Sequence, residues 1–72
     1  MKDYVQRMYG ELAELSERID KLDKFLKTNP IVKTLSAEKR TLMSVQLQAM
    51  KTYHKVLNRR IEIEEEEENG WH

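Results

Sequence analysis

The 72-residue chain has no cysteine, one proline, two glycines and one tryptophan. Without cysteine there are no disulfides and no thiolate metal sites, which suits a reducing cytoplasm. The scarcity of proline and glycine leaves few places to break the backbone, so long elements are expected. No apolar run approaches the ~18 residues of a membrane span, and the opening MKDYVQ lacks the apolar core of a signal peptide. A soluble, cytoplasmic protein with no membrane partner is the expectation.

Size adds a second constraint. A chain this short buries only about 60% of its unfolded surface when it folds alone, and scaffolds of this size are commonly stapled by disulfides, a metal or a partner chain. His54 and His72 are too distant for a local metal motif, and no H-E-x-x-H spacing occurs. No metal or cofactor is implied. Self-association is the remaining staple.

The formal charge is zero, with 13 basic and 13 acidic residues, but six of the acids are Glu62 and Glu64 to Glu68. Residues 1–61 therefore carry 13 basic and 7 acidic groups, a net +6. This mildly basic body fits an anionic partner without demanding one. The glutamate run reads as a solvated tail. Negative charge opposes the dipole at a helix C-terminus, so fraying near Glu64 is expected.

Hydrophobic spacing gives the fold. Val5, Met8, Leu12, Leu15, Ile19, Leu22 and Leu26 follow one another at alternating steps of three and four, an unbroken apolar seam along a helix. Gly10 interrupts the composition at a cost of about 1 kcal/mol relative to Ala; it is either tolerated or marks close approach of a backbone or ligand. Phe25 widens the seam at its end. Asn29-Pro30 stops the helix. The apolar Ile31, Val32 and Leu35 suggest a loop folded back over the open end of the hairpin. Ser36 is a good N-cap for a second helix, and Glu38 lies in its first turn. Two stripes run along that second helix: Met43, Leu47, Met50, His54, Leu57 and Ile61, and beside it Leu42, Val45, Ala49, Tyr53 and Val56. One can pack on the first helix. The other needs a further surface, because soluble monomers rarely leave such a stripe bare.

The expected class is all-α: an antiparallel two-helix hairpin that assembles into a helical homo-oligomer. Residues 1–63 form the hairpin, with helices over about 3–27 and 36–63 and a loop over about 28–35. Residues 64–72 form an acidic, flexible tail. No nucleophile–base pair, glycine-rich phosphate loop or metal cluster is present in the sequence, and Glu11, Glu14, Glu17 and Asp20 drift around the helix as solvated partners of Lys and Arg. An enzyme is not expected.

The order of residues resembles a known family. Tyr4-x-x-Arg7, Glu11-x-x-Glu14-Leu15 and Ile19-x-Lys21-Leu22-x-x-Phe25-Leu26 are followed by Leu35-Ser36 and Leu42. Then comes Gln46-Leu47-x-Ala49-Met50-x-x-Tyr53-x-x-Val56-Leu57-x-x-Arg60-Ile61. Over about residues 4–61 this is similar to the hairpin domain of phage anti-CBASS and anti-Thoeris sponge proteins. The heptad positions are shared by any such hairpin; the polar and aromatic positions between them are more specific.

The resemblance implies a sponge without catalytic activity, acting in the cytoplasm of the infected bacterial host. It would bind cyclic dinucleotides, cyclic trinucleotides or cyclic ADP-ribose derivatives in pockets between the protomers of an oligomer, typically a hexamer. Members use a tyrosine of the first helix for stacking and a lysine of the same helix for phosphate. The candidates here are Tyr9 with Lys24, then Tyr4 with Lys21, with Arg7 beside Tyr4. In some members an arginine of the second helix serves cyclic trinucleotides, and Arg60 is the nearest match. In an antiparallel hairpin Arg59 and Arg60 return toward Tyr4 and Arg7, which would gather cations and aromatics at one end.

Each residue has a plainer reading. Tyr4 and Tyr9 can pack at a helix end, Tyr53 can be interface core, and Lys21 and Lys24 can be solvated. Arg59 and Arg60 can pair with neighbouring glutamates, and His54 can be a hydrogen-bonded interface residue. The alternative for the whole chain is a structural or adaptor oligomerisation module without a ligand. A DNA partner is not expected, since the body lacks a continuous basic stripe and the acidic end repels phosphate.

Overall fold

The computed structural model describes residues 2–70. Helix α1 spans Asp3–Thr28 and helix α2 spans Ala37–Glu68, with a 3₁₀ turn at Pro30–Thr34 between them. No strand occurs among the described residues. The helices run antiparallel: side chains of residues 4 and 9 meet residues 64 and 65, and residue 16 meets residue 54.

Local chemistry explains the turn. The Asn29 N–H still reaches the Phe25 carbonyl, but its own backbone is already extended, as the following proline requires. Its side chain then accepts a hydrogen bond from the Ile31 N–H at 2.9 Å, which starts the 3₁₀ turn. Ser36 caps α2 by accepting from the Lys39 N–H at 3.2 Å. The connection is thus a structured turn and not an open loop. Val32 and Leu35 are half-buried while Ile31 remains exposed, so the turn folds back only in part.

The expected fraying at Glu64 does not occur. Helix α2 continues to Glu68, where Gly70 takes a positive φ of 60° and its N–H bonds the Glu67 carbonyl. Glycine tolerates this left-handed C-terminal conformation without a Cβ clash. The dipole argument is outweighed by contacts. Ile61 is buried, Tyr4 and Tyr9 donate to Glu64 and Glu65, and Arg59 pairs with Glu62 and Glu66. Helix α2 thus extends past the bound of about 63 expected from the sequence and takes in Glu64 to Glu68. Trp71 and His72 lie outside the described residues.

The seam of α1 packs on one stripe of α2. Val5, Met8 and Leu15 are buried against a helix that buries Leu47, Leu57 and Ile61, while Leu12, Ile19, Leu22, Leu26, Met43 and Met50 are half-buried. The tightest cluster is Met8, Leu57 and Ile61 with Leu12 beside them. The result is a rod of 55 × 15 × 15 Å with a radius of gyration of 16.4 Å, against ~11 Å for a compact chain of this length. Two helices give no third layer, and the second stripe of α2 is left uncovered: Leu42, Val45, Tyr53 and Val56 are all exposed.

Candidate ligand-binding site

The rod has a distinct chemistry at each end. At the end formed by the start of α1 and the finish of α2, Tyr4 donates to the Glu64 carboxylate at 2.6 Å and Tyr9 donates to Glu65. The Lys2 ammonium lies 3.4 Å from the Tyr4 hydroxyl and 5.6 Å from the centre of its ring, within cation–π range. These hydrogen bonds to carboxylates, aided by burial, hold both phenols above their ordinary pKa. Arg59 turns along its own helix to Glu66 at 3.2 Å and Glu62 at 3.7 Å. Cations and aromatics do meet at this end, with Lys2 over the Tyr4 ring, and the glutamates of α2 join them there. Carboxylates hold the phenols, and an incoming phosphate would meet negative charge.

At the turn end the balance is reversed. A groove of about 390 Å³ is lined by Lys21, Lys24, Phe25, Thr28, Asn29 and Pro30. A second groove, about 380 Å³, lies on the other side of Lys21 and Phe25, against Met43, Gln46 and Met50 of α2. Lys21 to Phe25 and Lys24 to Thr28 are i,i+4 steps, which set these side chains beside one another on the helix. Lys21 also pairs with Glu17 at 2.9 Å and holds that carboxyl below its ordinary pKa. The half-buried Phe25 side chain lines this groove together with Lys21 and Lys24. That combination suits a flat base with an attached phosphate.

A third groove follows the middle of the seam. It measures about 400 Å³ and is lined by Ser16, Ile19, Asp20, Lys51, His54 and Lys55. Ser16 Oγ and His54 Nε2 are hydrogen-bonded across it at 2.8 Å. Among the described residues no cluster of side chains could hold a metal ion, and no helix is long and apolar enough to cross a membrane.

The candidates from the sequence are therefore divided. Lys21 and Lys24 share one groove, whereas Tyr4 and Tyr9 lie at the opposite end. Along α1, Tyr9 and Lys24 are ~22 Å apart and Tyr4 and Lys21 ~25 Å. Neither pair can grip one ligand within a single chain. Arg7 is exposed near the tyrosine end, and Arg60 is exposed between Val56 and Ile63 on the outer face of α2. Phe25, whose place beside the heptad seam reads as core in the sequence, lines the same groove as Lys21 and Lys24.

This hairpin, from its first turn to Ile63, is the unit that a protein-family model recognises. The model is Sequestin, and it matches residues 2–63. The chain belongs to the Sequestin family. No curated protein and no solved structure matches it. The Sequestin match covers α1, the turn and most of α2, including Lys21, Lys24, Phe25 and the outer stripe, and it stops before the Glu64–Glu68 run. The family name denotes a sequestering protein, so the grooves of the hairpin are the natural place to look for what is held.

Proposed function

We propose that this chain is a phage-type anti-defence sponge, which binds a cyclic nucleotide immune signal and holds it without degrading it. The ligand class is a cyclic dinucleotide, a cyclic trinucleotide or a cyclic ADP-ribose derivative. The observation that carries this reading is the Sequestin match along residues 2–63. It agrees with the residue-level resemblance to anti-CBASS and anti-Thoeris sponges.

The geometry supports the reading at the turn end. Lys21 and Lys24 supply charge for phosphodiesters, and Phe25 supplies a ring face. Stacking contributes ~1–3 kcal/mol per base, too little alone to hold a messenger at low concentration. One hairpin offers open grooves, so the pocket is completed by neighbouring copies in a homo-oligomer, taken here as a hexamer. Sequestration then lowers the free signal in the cytoplasm of the infected host, and no chemistry on the ligand is required.

The adaptor reading draws on one observation: Glu64 and Glu65 already occupy the hydroxyls of Tyr4 and Tyr9, a structural use of those residues. Calorimetry separates the two. The sponge reading expects tight binding of at least one cyclic nucleotide, no binding of linear dinucleotides or duplex DNA, and recovery of the intact ligand after heat denaturation. A purified protein that binds none of the three ligand classes is an adaptor.

A further inference from the structure

The outer face of α2 is apolar and bare. Leu42 is 60% exposed, Val45 59% and Val56 51%, and Tyr53 and Ile63 continue the same line. At 3.6 residues per turn, positions 42, 45, 49, 53, 56, 60 and 63 fall on one side of the helix. The core stripe of Leu47, Leu57 and Ile61 faces α1 instead. Charge is distributed along this helix in a way that does not serve the helix itself. Lys39 and Arg40 stand in its first turns with Lys33 just before them, against the single Glu38; Glu62 and Glu64 to Glu68 crowd its last turns. Both groups oppose the helix dipole.

We propose that this face pairs with the same face of a second copy, antiparallel, about a two-fold axis near Thr52 and Tyr53. Charge decides the direction. In a parallel pair the two glutamate runs would lie side by side, within the ~8 Å over which physiological salt leaves repulsion unscreened. In the antiparallel pair each run lies against the Lys33, Lys39 and Arg40 end of the other copy, and the helix dipoles oppose one another. Symmetry then fixes the register, since a two-fold contact is self-complementary. Leu42 meets Ile63, Ala49 meets Val56, and the Arg60 stem covers Val45. This deepens the homo-oligomer of the proposed function by assigning one interface and its direction, and it does not rest on a ligand.

The chain has no cysteine, so single-cysteine variants report orientation directly. Positions 42 and 63 are ~31 Å apart along α2, far beyond the reach of a short bismaleimide. L42C and I63C, refolded together in equal amounts, should give mixed-linked dimer as the dominant product, with each variant alone at the level of an E14C control on α1. K39C with E67C repeats the test while leaving the apolar stripe intact. Self-linking of L42C and of I63C would overturn the antiparallel arrangement in favour of a parallel one. Linking at the control level in both mixtures would overturn the interface itself. Because nucleotide is absent throughout, these outcomes are independent of whether the protein sequesters one.

Discussion

Tyr4 and Glu64, sixty positions apart in the chain, are joined by a 2.6 Å hydrogen bond in which the phenol is the donor. Tyr9 makes the same kind of bond to Glu65. These contacts tie the start of α1 to the last turns of α2, and they turn a run of like charges into helix. They engage the two phenol hydroxyls, while both tyrosines remain exposed.

Alkaline pH should release this end. A phenol whose folded pKa is raised contributes stability that is fully present below its unfolded value of ~10 and is lost as pH rises through the folded value. An ionised phenol can no longer donate, and it faces a carboxylate. Helicity of the wild type, followed by circular dichroism, should fall above pH ~10 together with phenolate absorbance. Y4F/Y9F should already have lost amide protection over residues 62–68 at neutral pH. Unchanged protection in that variant would show that the bonds do not hold the end.

Gly10 should be replaceable. A methyl group there would meet nothing within 4 Å, so no neighbour in the hairpin requires the glycine. G10A should raise stability by about 0.5–1 kcal/mol through the helix backbone, measured by denaturant unfolding, with sedimentation unchanged. A dissociated G10A would mean instead that another copy's backbone approaches this point.

Much of the hairpin was legible because the 3–4 spacing of Val5 to Leu26 has one good solution on a helix. Asn29-Pro30 and Ser36 also mark chain breaks by local chemistry alone. The bare stripe of α2 was equally readable: Leu42, Val45, Tyr53 and Val56 are too many apolar residues for one partner helix. What could not be read was long-range. The Glu64–Glu68 run looks like a solvated tail until the antiparallel register sets Tyr4 and Tyr9 opposite it. Tyr9 and Lys24 likewise stay apart by their rise along one helix, so only a pocket shared between copies could bring them to one ligand.

The Ser16–His54 bond should couple the helices energetically. It lies part-buried at 2.8 Å, and leaving one buried partner unsatisfied costs ~1–3 kcal/mol. S16A and H54L should each destabilise, while the double variant should lose less than the sum. A coupling of at least ~0.5 kcal/mol in a double-mutant cycle is expected, and strict additivity would show that water serves either group equally well.

Core and outer stripe should respond differently to truncation. Leu57 is 1% exposed within the Met8–Ile61 cluster, so L57A should cost ~2–5 kcal/mol and unfold the chain at every concentration. Leu42 contributes little to the isolated hairpin, where a surface change is usually within ~0.5 kcal/mol. L42S should therefore leave the dilute hairpin helical but lower the concentration-dependent part of its melting temperature. Equal effects of concentration on L42S and wild type would remove the outer stripe from any assembly.

The turn end should carry the ligand, and the tyrosine end should not. Lys24 and Phe25 line one groove with Lys21, whereas Tyr9 is engaged with Glu65 at the far end of α1. Losing a charge-assisted hydrogen bond of ~1.5–3 kcal/mol weakens binding by roughly tenfold or more. K24A should show that loss in calorimetry with whichever cyclic nucleotide binds, and F25L, which keeps apolar bulk without a ring face, should show a similar one. K21A mixes two effects, because it also frees Glu17. Y9F keeps the ring and removes only the hydroxyl, so it should bind as wild type does if Tyr9 is structural. The reverse pattern, with K24A and F25L unimpaired and Y9F or Y4F weakened, would move the pocket to the opposite end. The bonds to Glu64 and Glu65 would then have to break before the ligand could enter.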